Sequence, residues 1–462
     1  MGSGEMFDYN TFRFSAVTEA LGGLFPRMGF GRVMDKRFAN IFSLTEEEAI
    51  ALLDTPPSEL EPGESRYIAA SHLINFPTDR AIAALIRAVE FEDGSLDTRI
   101  VQRKAVESLG RLRAVSALPV IRQCLANEDL YTVENAVWAI GEIGTEDPEI
   151  LEAIAQLLTQ AEKPYRVIIQ ILAKLNYSAA VDRIRPFMEN GDEPTASAAI
   201  ATVSRFTGDR SLMAGVMEFL QHSSVNARRL SIQDLLDAQY VPAIAPISRC
   251  PVSVVFRLRA IRQLAGMGIA SGELTFADIE PILDATVRDR PDNLELVHEY
   301  DQLPALEFAM GELYQTDFGR CYLATQTLVE SFPEVAGPAA IASFQAQGRN
   351  DYGAHFHLIK VLGWLKYAPA YDLFVEALHN PEPQFQKSRA AAAIALGELG
   401  DTRAIAVLTP FLESPVWDLK YATVLALQQL GAMDLLAQAA PGEDPLMRAK
   451  FEAIAPMTGA SV

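Results

Sequence analysis

Cysteine is scarce in this chain. There are three among 462 residues, Cys124, Cys250 and Cys321, and no C-x-x-C pair. Such spacing excludes a zinc ribbon or a disulfide framework and suits a reducing, cytoplasmic compartment. Positive charge is also short: 39 Lys and Arg stand against 60 Asp and Glu, a net charge of −21. A polyanionic partner needs clustered cations, so nucleic acid is not expected. No apolar run approaches the ~20 residues of a membrane span. The first 33 residues lack the basic region and apolar core of a secretory signal, and Met34 is an alternative start that would leave 1–33 outside the fold. No phosphate-binding glycine loop, nucleophile elbow or kinase signature occurs. The single His298-Glu299 pair and the i, i+2 pair His355 and His357 are poor metal geometry, so no metal is expected.

What is present is repetition. "RKAVESLGRLR" begins at Arg103, "ENAVWAIGEIG" at Glu134, "RAAAAIALGELG" at Arg389 and "KYATVLALQQLG" at Lys420. Gly110 and Gly141 are 31 residues apart, as are Leu396 and Leu427. Ala173, Ser204, Leu236 and Ala265 carry the step onward in weaker copies. Each unit holds two apolar patterns of helical period divided by turn signals, and strand alternation is almost absent. A step of about 30 residues with paired helices predicts an all-α chain, an α-solenoid in which each unit buries its apolar face against its neighbours. The organisation expected is an extension over 1–33, a repeat array over 34–270, an irregular helical insert over 271–335, further repeats over 336–440 and a tail over 441–462.

In the helix around 132–144, Val133, Ala136, Val137, Ile140 and Ile143 form the apolar stripe. Glu134, Trp138 and Glu142 form a second stripe beside it, next to Asn135 and after Tyr131. Carried through the repeat register, that stripe gives three rows. They are Arg103, Glu134, Arg166, Ser197, Arg229; Glu107, Trp138, Gln170, Ala201, Gln233; and Arg111, Glu142, Lys174, Arg205, Asp237. Such rows line one surface of a solenoid, usually the concave one. Small side chains at 197 and 201 predict a gap flanked by Arg, with an indole further along, suited to a flat acidic ligand. A competing reading gives the same residues a structural task, tying repeats together and satisfying turn carbonyls. For any single residue the two readings stand level. "SRCPVSVVFRLRAIR" sets Arg residues beside Cys250, which reads as a small buried hydrophobe before a helix rather than an activated thiol.

Longer stretches are more specific than the repeat consensus. "MDKRFANIFSLTEEEAIALLDTP", "RYIAASHLINFPTDRAIAALIRAVE", "RIVQRKAVESLGRLRAVSALPVIRQCL" and "YTVENAVWAIGEIGT" closely resemble the E/F-type bilin lyases, HEAT-like repeat proteins of cyanobacterial phycobilisome assembly. "YDQLPALEFAMGELYQTDFGRCYLATQTL" resembles the insert of the longer members, which act on phycoerythrin. The resemblance runs from Met34 to about residue 435.

It implies attachment of phycoerythrobilin through a thioether to a cysteine of a phycoerythrin subunit, the α subunit foremost, and in some relatives isomerisation to phycourobilin. The bilin is then substrate, no cofactor is permanently bound, and a second, smaller lyase subunit is a further expected partner. The resemblance transfers no catalytic motif residue by residue. On chemical grounds Arg103, Arg166 and Arg229 are candidates to pair with the bilin propionates. Trp138, with Tyr131 and Asn135, is placed against a pyrrole ring. Glu134 and Asp237 are the candidate catalytic carboxylates, accepting pyrrole N–H bonds or supplying a proton. The client's cysteine is the nucleophile, so none is needed here. A non-catalytic scaffold or adaptor in phycobilisome assembly or turnover explains the repeats and the acidity equally well.

Overall fold

The computed structural model describes residues 44–458, and the extension expected over 1–33 lies outside them. The described residues form helices, short 3-10 turns and loops, with no strand. The chain divides into two compact units, one ending at Ile121 and one beginning at Arg122.

Unit 1 holds α1 (Glu46–Asp54), α2 (Arg66–His72), α3 (Asp79–Glu90) and α4 (Leu96–Arg111). Thr45 and Glu48 close a capping box on α1, satisfying backbone donors that the first turn leaves unpaired. Arg66, nearly buried, donates Nε to the Leu53 carbonyl at 2.9 Å, and its guanidinium lies 4.7 Å from the centre of the Phe91 ring. A cation is tolerated in the core on those terms.

In unit 2 the longer helix of each repeat is α5 (Leu130–Ile143), α6 (Tyr165–Lys174), α7 (Glu193–Thr207), α8 (Val225–Asp237) and α9 (Val254–Ser271). Each packs on the next. The side chains of Asp129 and Asp192 cap α5 and α7 by accepting the backbone N–H of Thr132 and Thr195. The glycine that marks the repeat in the sequence marks the closest approach between neighbours. A Cβ on Gly141 would stand 2.3 Å from Ile171 Cδ1 of the next repeat. In the later array, a Cβ on Gly397 would stand 2.8 Å from the Ala426 backbone.

The turn that ends each longer helix also recurs. Residues with positive φ fall at Arg113, Gly144, Asn176, Gly208, Gln239 and Gly272, and again at Lys366, Gly400 and Gly431. One left-handed residue reverses the chain each time, and glycine takes that conformation without steric cost. Arg113, Asn176, Gln239 and Lys366 hold it with a side chain, so the fold keeps the turn where the sequence drops its signal.

After α10 (Phe276–Arg288) the chain runs from 289 to 305 with a single short turn, Pro291–Asn293. The loop is anchored by Glu295 N–H to the Arg249 carbonyl at 2.9 Å. Asp317 also holds it, accepting from the buried Arg228 at 2.5 Å and lying 2.8 Å from His298 Nε2. There follow α11 (Leu306–Glu312), α12 (Phe318–Ser331), α13 (Pro333–Ala346), α14 (Tyr352–Trp364), α15 (Gln386–Leu399), α16 (Trp417–Gln429) and α17 (Pro445–Thr458). These last repeats turn back onto the hairpin α9–α10, so that α10 packs against α15, α16 and α17. A charged seam closes the contact. Lys450 donates to Glu280 and to both oxygens of Asp284 at 2.9 Å, and Tyr421 donates to Asp284 at 2.7 Å. Asp444 accepts from Trp417 Nε1 at 2.9 Å and from Arg262 at 3.1 Å. Covered on all sides, α14 buries every residue from Gly353 to Gly363, the pattern of a helix without a solvent face.

Candidate functional site

Arg166 on α6 reaches past the whole of α7 to Asp234 on α8. Nη1 and Nη2 meet the two carboxylate oxygens at 2.9 and 2.8 Å. Ser197, fully buried on α7, donates to the same carboxylate at 2.6 Å, and Gln170 donates at 3.3 Å. The small side chains at Ser197 and Ala201 do not leave an open gap. The Arg166–Asp234 fork occupies that space, and Asp234 is 2 % exposed. A bidentate pair shielded from water fixes both groups in one orientation.

One turn on from Asp234, Asp237 accepts from Gln233 Nε2 at 2.7 Å. The residue is exposed, although protein crowds around its carboxyl group. Crowding away from water is the main cause that pushes its carboxyl up to about 6. The negative charge of Asp234 adds to this, while the Gln233 hydrogen bond, Arg166 and Arg259 oppose it. Two neighbouring carboxylates thus occupy different environments, one clamped by Arg166 and one poised to exchange a proton near neutrality.

The remaining candidates are spread more widely. Tyr131, Glu134, Asn135 and Trp138 share α5, where Tyr131 is exposed, Asn135 is buried, and Glu134 and Trp138 are half-buried. Beside them Glu142 accepts from Lys174 at 2.7 Å, the row neighbours expected from the repeat register. Arg103 lies half-buried on α4 of unit 1, where the next row holds Glu107 between Lys104 at 2.7 Å and Arg111 at 3.0 Å. Arg229, on the second turn of α8, stacks over Phe256 at 4.7 Å. Its charge acts on Tyr352 and Lys387, so it belongs with the later repeats rather than with Asp234. His355 and His357 face aromatic rings, His355 stacked on Phe385 at 4.3 Å and His357 edge-on to Phe318 at 4.6 Å. Cys250 is fully buried and donates to the Leu220 carbonyl at 3.2 Å; burial pushes its thiol up to about 12.

Sequence reasoning passed over Asp234, because its partner Arg166 lies two repeats away. It also passed over a pocket where α9 and the end of α10 meet α14, α15 and α16. About 350 Å³ there is free of protein atoms, part of it open solvent, and the lining includes Val254, Leu258, Phe356, Lys360, Lys387 and Asp418.

Comparison with protein families matches HEAT repeats at residues 95–167, 345–428 and 371–454. The chain is 55 % identical to the uncharacterized phycocyanin operon protein Y of Pseudanabaena tenuis, over 90 % of this chain and 99 % of that protein. It is 32 % identical to the bilin biosynthesis protein CpeY of Synechococcus sp., over 80 % of this chain and 90 % of that protein. The chain belongs to the E/F-type bilin lyase family. Another member, the phycocyanobilin lyase subunit alpha of Picosynechococcus sp., is 28 % identical over 44 % of this chain and 81 % of its own length. For this bilin lyase family member, the carboxylate pair on α8 and the pocket against α15 are two places where polar side chains gather in unit 2. No helix of the described residues is long and apolar enough to cross a membrane.

Proposed function

We propose that this protein attaches phycoerythrobilin to a cysteine of the phycoerythrin α subunit through a thioether bond. The observation that carries the reading is similarity to CpeY along nearly its whole length, and the α8 carboxylates supply a chemistry for it. Thiol addition to the ethylidene group of a bilin forms one C–S bond and moves the thiol proton onto the tetrapyrrole, with no leaving group and no redox change. Asp237, holding a proton at pH values up to about 6, protonates the conjugated system as the sulfur attacks and recovers a proton from the thiol. Asp234, clamped by Arg166, acts through Asp237, whose proton it helps to retain. Positioning contributes most of the rate, because the client's cysteine and the bilin must meet in line. Tyr131, Asn135 and Trp138 offer a stacking and hydrogen-bonding face, with Glu134 a second carboxylate. Arg103 and Arg229 are offered to propionates.

The bilin is substrate, and no permanently bound cofactor is required. A second, smaller lyase subunit completes the assembly in this reading, since a relative carries the name subunit alpha. The setting is the cyanobacterial cytoplasm where phycobilisomes are assembled. Co-expression with a phycoerythrin α subunit in a host making phycoerythrobilin tests the reading. A covalent adduct on a client cysteine that depends on this chain, and drops at least about tenfold with Asp237→Asn, is expected. Its absorption also reports whether phycourobilin has formed. A client that co-purifies without an adduct, with or without a second subunit, would replace the lyase with an adaptor.

A further inference from the structure

Lys387 stands on the first turn of α15 and is 4 % exposed. Its Nζ lies over the rings of Tyr352, Phe318 and Phe356, at 3.5, 4.4 and 5.3 Å from their centres. No group among the described residues accepts a hydrogen bond from it. An ammonium carries three donors, and burying it without an acceptor costs several kcal/mol at ~1–3 kcal/mol per unmet group. Aromatic faces return only about 0.5–2 kcal/mol.

The nearby acids are already engaged, Asp351 as the cap of α14 that accepts from the Gly353 and Ala354 N–H. Asp289 accepts from Arg257 and Tyr322 and faces Lys360 at 3.8 Å. Asp418 is held toward Gln386 and Arg262. Lys360 donates to the Arg288 carbonyl. Arg229 adds positive charge on the same side. In a chain of net charge −21, this is a buried excess of cations around a cavity whose other walls, Val254, Leu258 and Ala390, are apolar. The cleft is too small for a whole tetrapyrrole and opens in part to solvent, and its apolar walls lead to an unpartnered ammonium.

We propose that this pocket receives one carboxylate arm of the ligand, with Lys387 Nζ donating to the carboxylate oxygens. Resting on the lyase reading above, that arm is a propionate of the bilin, and the pocket fixes one end of the chromophore. Lys387 is a binding residue on this account and takes no part in bond making.

Titration of the purified full-length chain with phycoerythrobilin and with its dimethyl ester, followed by the bilin absorption, tests it. The wild-type chain should bind the free acid about tenfold or more tightly than the ester, the effect of one charge-assisted pair. Lys387→Met should lose about tenfold of the preference for the acid, with its affinity for the ester and its circular dichroism unchanged. If Lys387→Met keeps the full preference for the acid, the carboxylate is read elsewhere and the proposal falls while the lyase reading stands. If the variant loses acid and ester affinity equally, Lys387 shapes the wall only, and the proposal falls again. A wild-type chain that perturbs the spectrum of neither compound overturns both readings. The ester comparison on the wild-type chain requires no variant to fold.

Discussion

Tyr131 and Lys387 hold the same place in the repeat, ten residues before Gly141 and Gly397. Tyr131 is 64 % exposed on α5, whereas Lys387 is 4 % exposed on α15. The difference comes from what lies over each helix. On α15 the hairpin α9–α10 covers the row that α5 keeps partly open, and coverage changes what a polar side chain there requires. Glu398, the counterpart of Glu142, has gained Arg288 at 3.6 Å from the covering hairpin, and Lys450 has gained Glu280 and Asp284. Lys387 has gained aromatic rings and no acceptor. Among the cations of that covered surface, Lys450 is partnered and serves structure, whereas Lys387 is the one for which a binding role is proposed.

The strongest way to break this contrast is to remove a partnered cation. Lys450→Met leaves two carboxylates facing each other at the seam and should cost about 3 kcal/mol, towards the lower end of the range for a broken buried pair because the acids keep partial solvent contact. Urea unfolding monitored by circular dichroism measures it. A loss under about 1 kcal/mol would mean that the seam is held by apolar packing alone.

The second effect depends on pH. Burial in the aromatic layer pulls His355 down to about 4 from its ordinary 6.5. Its neutral form therefore adds stability that is complete above pH 6.5 and drains away as pH falls towards 4. At pH 5 the wild-type chain should have lost about 2 kcal/mol through this group, at up to ~1.4 kcal/mol per pH unit. His355→Phe, which keeps the stack on Phe385, should remove that part of the slope, seen in unfolding curves at pH 5, 6 and 7. Identical slopes in the two chains would place His355 in contact with water.

In the smallest effect the variant is the more stable chain. Burial pulls Lys387 down from 10.5 to about 7, so the folded chain gains stability as pH rises from about 7 to 10.5. Without ligand, Lys387→Met should be about 1 kcal/mol more stable than wild type at neutral pH, since it deletes a charge the fold does not satisfy. A destabilised variant would show that the rings alone stabilise the ammonium.

The repeat was legible because its marks are steric. Gly141 and Gly397 are small where the next helix comes within contact distance, and that requirement leaves its trace at a fixed step. The reversing turns were legible only in part, since Arg113, Asn176, Gln239 and Lys366 adopt the left-handed conformation without glycine. Rows between adjacent repeats could be read, as Glu142 and Lys174 show. The Arg166–Asp234 fork could not, because it skips a repeat, and the small residues that let it pass looked like empty space. Lys387 was hidden for a different reason. Its environment is assembled from Phe318, Tyr352 and Phe356 on α12 and α14 and from apolar walls on α9, so no neighbouring repeat announces it.

That long-range closure alters how unit 2 behaves as a mechanical object. A plain helical array makes only neighbour contacts, so its last repeat frays first and its curvature springs open at little cost. Here the final helix is pinned to residues 280 and 284, across sequence separations of 166 and 170. Contacts of such high order slow folding, but they leave the carboxyl-terminal repeats without a loose end. The last repeats should therefore exchange their amide hydrogens together with α9 and α10, as one cooperative block.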